Sequence, residues 1–268
     1  VEPFVDAAWL HAQRDEVLAA HVVWDSERGR GAYDAGHVPG AVLVELDSDL
    51  AAAPTTAGGR HPLPSPETFT ATLARLGIGD DTRVVAYDEQ GGGIAARLVW
   101  MLRATGRDAA LLDGGLAAWG GPLSPEPVRP TPTQPQVVAW PHELLVDADG
   151  AVAAALLLDA RDAERYRGRY AGPDARAGHV PGAVNRPWAD ALDDDGRLLD
   201  DEVLRARYAP LVEAAGAAPV ASCGSGVTAC HALLVVEHLG LGRGRLFPGS
   251  WSAWAADPSR PVATGEQP

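Results

Sequence analysis

The sequence predicts an α/β chain made of two tandem domains, each a parallel sheet with helices on both faces, and three observations predict it. Short apolar strands alternate with amphipathic stretches throughout. The same pieces recur 134 to 135 residues apart, as Asp25 to Asp159, Asp88 to Cys223 and Trp119 to Trp254 show. A proline-dense segment separates the two copies. The period is too long for a solenoid, so each copy needs its own core, and 268 residues suffice for two domains of ordinary size.

The first copy opens with an expected strand at residues 21–25. A glycine-rich polar loop and the turn Gly36-His37-Val38-Pro39-Gly40-Ala41 follow. An amphipathic helix is expected over 66–76, a buried strand over 82–88 and a second helix over 94–105, before Asp113-Gly114-Gly115-Leu116-Ala117-Ala118-Trp119 closes the copy. Residues 125–139 are too rich in proline for helix or central strand and read as a fairly stiff linker between domains at 1–124 and 140–268. The second copy repeats the series. It has a strand at 156–161, the turn Gly178-His179-Val180-Pro181-Gly182-Ala183, a strand ending at Cys223, a helix over 227–239, and Gly249-Ser250-Trp251-Ser252-Ala253-Trp254. In such sheets the site is expected at the carboxyl ends of the strands.

Composition narrows the chemistry. A net charge of −14 and a pI near 4.9 argue against a nucleic-acid surface. No apolar run reaches the length of a membrane span. All 22 basic residues are arginine, which removes a P-loop lysine, a Schiff base to pyridoxal phosphate and a Ser-Lys dyad. Two cysteines are too few for a disulfide scaffold. Cys223 and Cys230 stand seven residues apart with helical spacing, about 10 Å between Cα atoms, which is beyond disulfide reach. Cys230 reads as a core thiol, and the pair fits a reducing cytoplasm. The histidines show no metal-ligand spacing.

The two copies control for each other, because what both contain serves the fold. His37 and His179 sit in the shared turn and read as braces for it. Cysteine occurs at the loop of one copy only. Cys223-Gly224-Ser225-Gly226-Val227-Thr228 lies between strand end and helix start. Gly224 and Gly226 let the backbone curl, so that amides can point inward at a solvent-reachable sulfur. The helix N-terminus behind the loop favours the thiolate. Asp88 takes the place of the cysteine in the first copy, which is expected to be catalytically silent. A cysteine phosphatase would need arginine six residues after the cysteine, and Ala229 stands there.

With its two His-x-Pro-Gly-Ala turns, the Asp-Gly-Gly-x-x-x-Trp and Gly-Ser-Trp-x-x-Trp elements and one loop cysteine, the chain resembles the two-domain rhodanese superfamily over nearly its whole length. The loop spelling is similar to that of 3-mercaptopyruvate sulfurtransferases. Thiosulfate-using rhodaneses usually carry basic residues just after the cysteine, and this loop has none.

The resemblance implies that Cys223 takes sulfur from 3-mercaptopyruvate as a persulfide and hands it to thioredoxin, another thiol or cyanide, without metal or organic cofactor. It also implies a relay of Ser225, His61 and Asp47, with His61 and Asp47 supplied by the silent copy. Gly224, Gly226, Val227 and Thr228 would line the sulfur, and Arg165 would hold the substrate carboxylate. The family's second arginine falls at Asp174, which leaves Arg169 or Arg176 as substitutes. Trp251 is either a pocket wall or core. A thiosulfate sulfurtransferase and a non-catalytic persulfide carrier or docking module are the rival readings.

Overall fold

The computed structural model describes residues 1–268 as two compact units. Unit 1 comprises residues 1–52, 64–140 and 193–198, and unit 2 comprises 53–63, 141–192 and 199–268. Each unit therefore takes a short segment from the other half of the chain, which a split at the linker does not anticipate. The linker itself belongs to unit 1. Thr133 N–H donates to the Ala74 carbonyl at 3.0 Å and Arg107 Nη2 to that of Gln136 at 2.8 Å.

Unit 1 contains β1 (Phe4–Val5), α1 (Ala7–Ala12), β2 (Leu18–Val23), α2 (Glu27–Ala35), β3 (Val42–Glu45), α3 (Leu46–Asp49), α4 (Pro66–Arg75), β4 (Val84–Tyr87), α5 (Ala95–Ala104), β5 (Ala109–Leu112) and α6 (Gly115–Ala118). All strand pairings are parallel, in the order β1-β5-β4-β2-β3. β4 and β5 are buried at every position, as strands covered on both faces must be, and read as continuous apolar runs. Ser65 accepts from Thr68 N–H at 3.1 Å and Pro66 opens α4, so that helix starts where side-chain capping and a preset φ coincide.

Unit 2 contains α7 (Ala148–Val152), β6 (Leu157–Asp159), α8 (Ala163–Tyr166), β7 (Ala183–Asn185), α9 (Asp201–Ala215), β8 (Val220–Ser222), α10 (Ala229–His238), β9 (Arg245–Leu246) and α11 (Ser250–Ala256). Its sheet is parallel in the order β7-β6-β8-β9. A parallel bridge from Leu145 to Leu246 stands where β1 pairs β5 in unit 1, so the two sheets share one plan. Helix α9, fifteen residues long, has only Leu204 and Tyr208 buried. So narrow an apolar stripe left little periodicity to read.

The shared turns do the same work twice. His37 Nδ1 and Nε2 lie 2.9 and 3.1 Å from the carbonyl oxygens of Tyr33 and Glu126, and the ring stacks on Tyr33 at 3.8 Å. His179 contacts the carbonyls of Tyr166 and Gln267 at 2.8 and 3.1 Å and stacks on Tyr166 at 3.7 Å. Both histidines brace the fold. Trp119 and Trp254 form a second matched pair, each donating through Nε1 to the carbonyl of a following proline, Pro122 or Pro261.

Candidate active site

The site of unit 2 forms at the carboxyl end of β8, where the chain turns from Ser222 into α10. Cys223 N–H donates to Ser250 Oγ at 3.1 Å, and the Cys223 carbonyl accepts from Trp251 N–H at 3.0 Å. The Gly224 carbonyl accepts from Ser252 N–H at 2.8 Å, so the start of α11 clamps the loop from behind. Gly226 N–H then points back at Cys223 Sγ, 3.1 Å away. Gly226 has a φ of +77°, and a Cβ there would collide with the Pro248 carbonyl, so both conformation and space require glycine.

Ser250 is the chain's one non-glycine residue at positive φ, +49°. It occupies the position of Gly115 in unit 1, at +58°. The hydroxyl offsets that backbone strain by accepting from Cys223 N–H and donating to the Phe247 carbonyl at 2.8 Å.

The expected relay is half visible within unit 2. His61 belongs to the 53–63 segment, and its Nδ1 lies 2.7 Å from Ser225 Oγ. Asp47 lies in the first turn of α3 in unit 1, where its amide donates to Asp25 Oδ1 at 2.6 Å. Its place in the relay rests on the family resemblance.

The arginines differ from expectation. Arg165, on α8, lies over the loop as expected. A Cβ on Gly224 would be 2.9 Å from Arg165 Nη2 and 3.1 Å from Arg60 Nη2, so two guanidinium groups cover that glycine. Arg60, one residue before His61, is the partner that the sequence reading missed. Its neighbour in the Gly-Arg-His-Pro run was the only available signal. Asp174 holds the pair together, with Oδ1 accepting from Arg60 Nη1 and Oδ2 from Arg165 Nη2 at 2.8 Å. The loop has no basic residue of its own, yet it does not lack positive charge.

Arg176 is not available as the second arginine. Its guanidinium donates to the carbonyls of Trp254, Ala255, Asp257 and Arg260 at 2.6 to 2.9 Å and so anchors the end of α11. Arg169 is exposed beyond α8. Trp251 proves to be core. It is 1 % exposed, packs with Leu157 and Val220, donates from Nε1 to the Arg176 carbonyl, and carries the Arg161 guanidinium over its ring at 4.7 Å.

Cys223 itself is only 2 % exposed, where a solvent-reachable sulfur was expected. A pocket of about 300 Å³ is lined by Arg165, Trp188, Asp190 and, from the end of the loop, Thr228 among others. Val227 is buried.

A buried cysteine with an amide hydrogen directed at its sulfur, in a loop that also carries the Ser225–His61 contact, defines a thiol-centred site at the carboxyl end of a parallel sheet. Comparison with known proteins agrees. Residues 6–121 and 141–257 each match the family described as "Rhodanese-like domain". The "Probable 3-mercaptopyruvate sulfurtransferase" of Pseudomonas aeruginosa is 43% identical over 257 residues, 90% of this chain and 89% of that protein. The 3-mercaptopyruvate sulfurtransferase of Escherichia coli K12 is 32% identical over 97% of each chain. Thiosulfate sulfurtransferase of Rattus norvegicus is 33% identical, over 90% of this chain and 85% of that one. The solved 3-mercaptopyruvate sulfurtransferase of Leishmania major superposes with a TM-score of 0.81 at 31% identity, covering 94% of this chain and 73% of that one. This chain belongs to the rhodanese-like family and is a sulfurtransferase with two rhodanese domains.

Proposed function

We propose that the chain moves sulfur from 3-mercaptopyruvate to a thiol or to cyanide by way of a Cys223 persulfide. The single observation that carries the reading is the Cys223 loop, with its inward amide at 3.1 Å from Sγ, lying under the guanidiniums of Arg165 and Arg60. The Cys223 thiolate attacks the sulfur of the donor. An S–S bond forms, the C–S bond breaks, and its electron pair leaves on carbon as the enolate of pyruvate. Ser225, hydrogen-bonded to His61, delivers the proton that quenches the enolate. The outer sulfur is held by loop amides in the manner of an oxyanion hole. An acceptor thiolate, thioredoxin among the candidates, or cyanide then attacks that sulfur and releases the Cys223 thiolate. A reducing compartment such as the cytoplasm suits this cycle, because the thiol must be free.

The two guanidiniums bind the donor carboxylate, and the pocket beside Arg165 and Thr228 is its approach. The test is steady-state transfer to cyanide from 3-mercaptopyruvate and from thiosulfate, with mass spectrometry of the Cys223 peptide. The expected result is a preference for the organic donor of at least roughly tenfold, or about 1.4 kcal/mol, a gain of 32 Da on Cys223 in roughly the atomic mass of one sulfur, and neither in Cys223→Ser. Equal rates from the two donors, or transfer surviving in the variant, would overturn the reading. A stable persulfide without turnover would make the chain a carrier.

A further inference from the structure

We infer that Asp174 is a specificity-determining residue, setting the net charge above Cys223 so that the site takes singly charged 2-oxo acids and rejects doubly charged sulfur oxyanions. The inference rests on the proposed function for the identity of the donor. Its physical basis is the placement of three charged groups.

The Asp174 side chain is fully buried, whereas those of Arg165 and Arg60 are 19% and 30% exposed. Each carboxylate oxygen engages one guanidinium, and both guanidiniums stand over Gly224, next to the nucleophile. Two positive charges and one negative charge leave one positive charge to meet a ligand. The other charged groups at the pocket do not add to it. Arg161 is paired with Asp159, at 3.0 Å from Nε to Oδ1, while Asp162 and Asp190 line the wall as further negative charge. A monocarboxylate meets at most the one positive charge of the Arg60–Asp174–Arg165 cluster, which the acidic wall lowers and does not raise. A dianion would bring a second negative charge close to the buried Asp174, where low dielectric magnifies the repulsion.

The arrangement also explains how arginines can flank the sulfur without making the site a dianion receptor. Asp174 engages Arg60 Nη1 and Arg165 Nη2, while Arg60 Nη2 and Arg165 Nη1, which it does not engage, stand over Gly224 at 3.1 and 3.4 Å from a Cβ placed there. Arg165 Nε is buried without a hydrogen-bond partner.

The experiment compares wild type, Asp174→Asn and Asp174→Glu, with cyanide as acceptor and each donor in turn. Asp174→Asn removes the charge with little change of shape. It is expected to raise the ratio of kcat/KM for thiosulfate over 3-mercaptopyruvate by at least about tenfold, mainly through a lower KM for thiosulfate. Asp174→Glu is expected to return the ratio toward wild type. A fall in kcat/KM by the same factor for both donors would show a merely structural role and overturn the inference.

A second readout needs no turnover. Protection of Cys223 from alkylation by iodoacetamide is measured against pyruvate and against sulfate. Wild type is expected to be protected by pyruvate at lower concentration, and Asp174→Asn to reverse or erase that order. If neither donor is turned over but the order still reverses, the charge inference stands and the donor assignment falls. An unchanged order in Asp174→Asn sinks the charge inference whatever the turnover.

Discussion

The loop at Asp88 and the loop at Cys223 have the same fold and opposite contents. In unit 1 the carboxylate of Asp88, fully buried, accepts four amide hydrogens, from Gln90, Gly92, Ile94 and Ala95, at 2.7 to 2.9 Å. In unit 2 the corresponding position holds a sulfur with Gly226 N–H directed at it. Gly91 and Gly226 share the same left-handed φ, +72° and +77°. The carbonyls of Asp88 and Cys223 both accept from the residue one place into the closing helix motif, Leu116 or Trp251. One loop is a receptor for negative charge filled by its own side chain, and the other has a thiol at the matching place. The difference teaches that the cup is a property of the backbone, while its chemistry differs with what stands at its centre.

The largest expected effect comes from making the Cys223 loop like the Asp88 loop. Cys223→Asp should abolish sulfur transfer outright while leaving unit 2 folded, because the carboxylate can occupy amides already arranged for an anion. Turnover and a thermal scan check it together. A variant that fails to fold would show that the two cups are not equivalent.

Next, Gly226→Ala should cost roughly 100-fold or more in kcat, since a Cβ must displace the Pro248 carbonyl and the amide at Sγ with it. Gly91→Ala in unit 1 should leave the rate per folded molecule within about twofold, a contrast that mutant kinetics can express directly. Asp88→Ala should destabilise the chain by about 3–5 kcal/mol in denaturant unfolding, because it orphans four buried donors. Its turnover per folded molecule should stay close to wild type.

The smallest effect concerns two buried histidines, one in each unit. Burial lowers His231 on α10, and His21 on β2, from the ordinary value of 6.5 to about 4, with His37 adding to the effect on His21. Both stay neutral in the folded state, while the unfolded chain binds a proton below pH 6.5. Stability contributed by each neutral histidine is therefore present above 6.5 and is lost as pH falls toward 4. The slope is about 1.4 kcal/mol per pH unit for each group. Urea midpoints measured between pH 7 and 4 should fall less steeply in His231→Phe and in His21→Phe than in wild type. Equal slopes in all three chains would remove the histidines from the account of acid sensitivity.

Much of this protein was legible before any coordinates, because the signals were local and doubled. The strand runs at Val84 and Val220, the glycine-rich turns after them, and the His-Val-Pro-Gly-Ala turns are short-range patterns, and their repetition separated what serves the fold from what is particular to Cys223. The class of the fold follows from such patterns, and so does the contrast of cysteine with aspartate at the matched loops. Edge strands of two residues and a helix with two buried side chains carry too little periodicity to be read that way.

Tertiary structure decided what depends on chain crossing. That residues 53–63 pack with unit 2 cannot be inferred from proximity in sequence, and it is this that sets His61 against Ser225 and Arg60 over Gly224. The same cause turned Asp174 from a missing arginine into the residue that binds two of them, and sent Arg176 to four carbonyls at the end of α11. A residue's type and neighbours along the chain determine which bonds it is able to make; only the packed arrangement determines which partner is within reach.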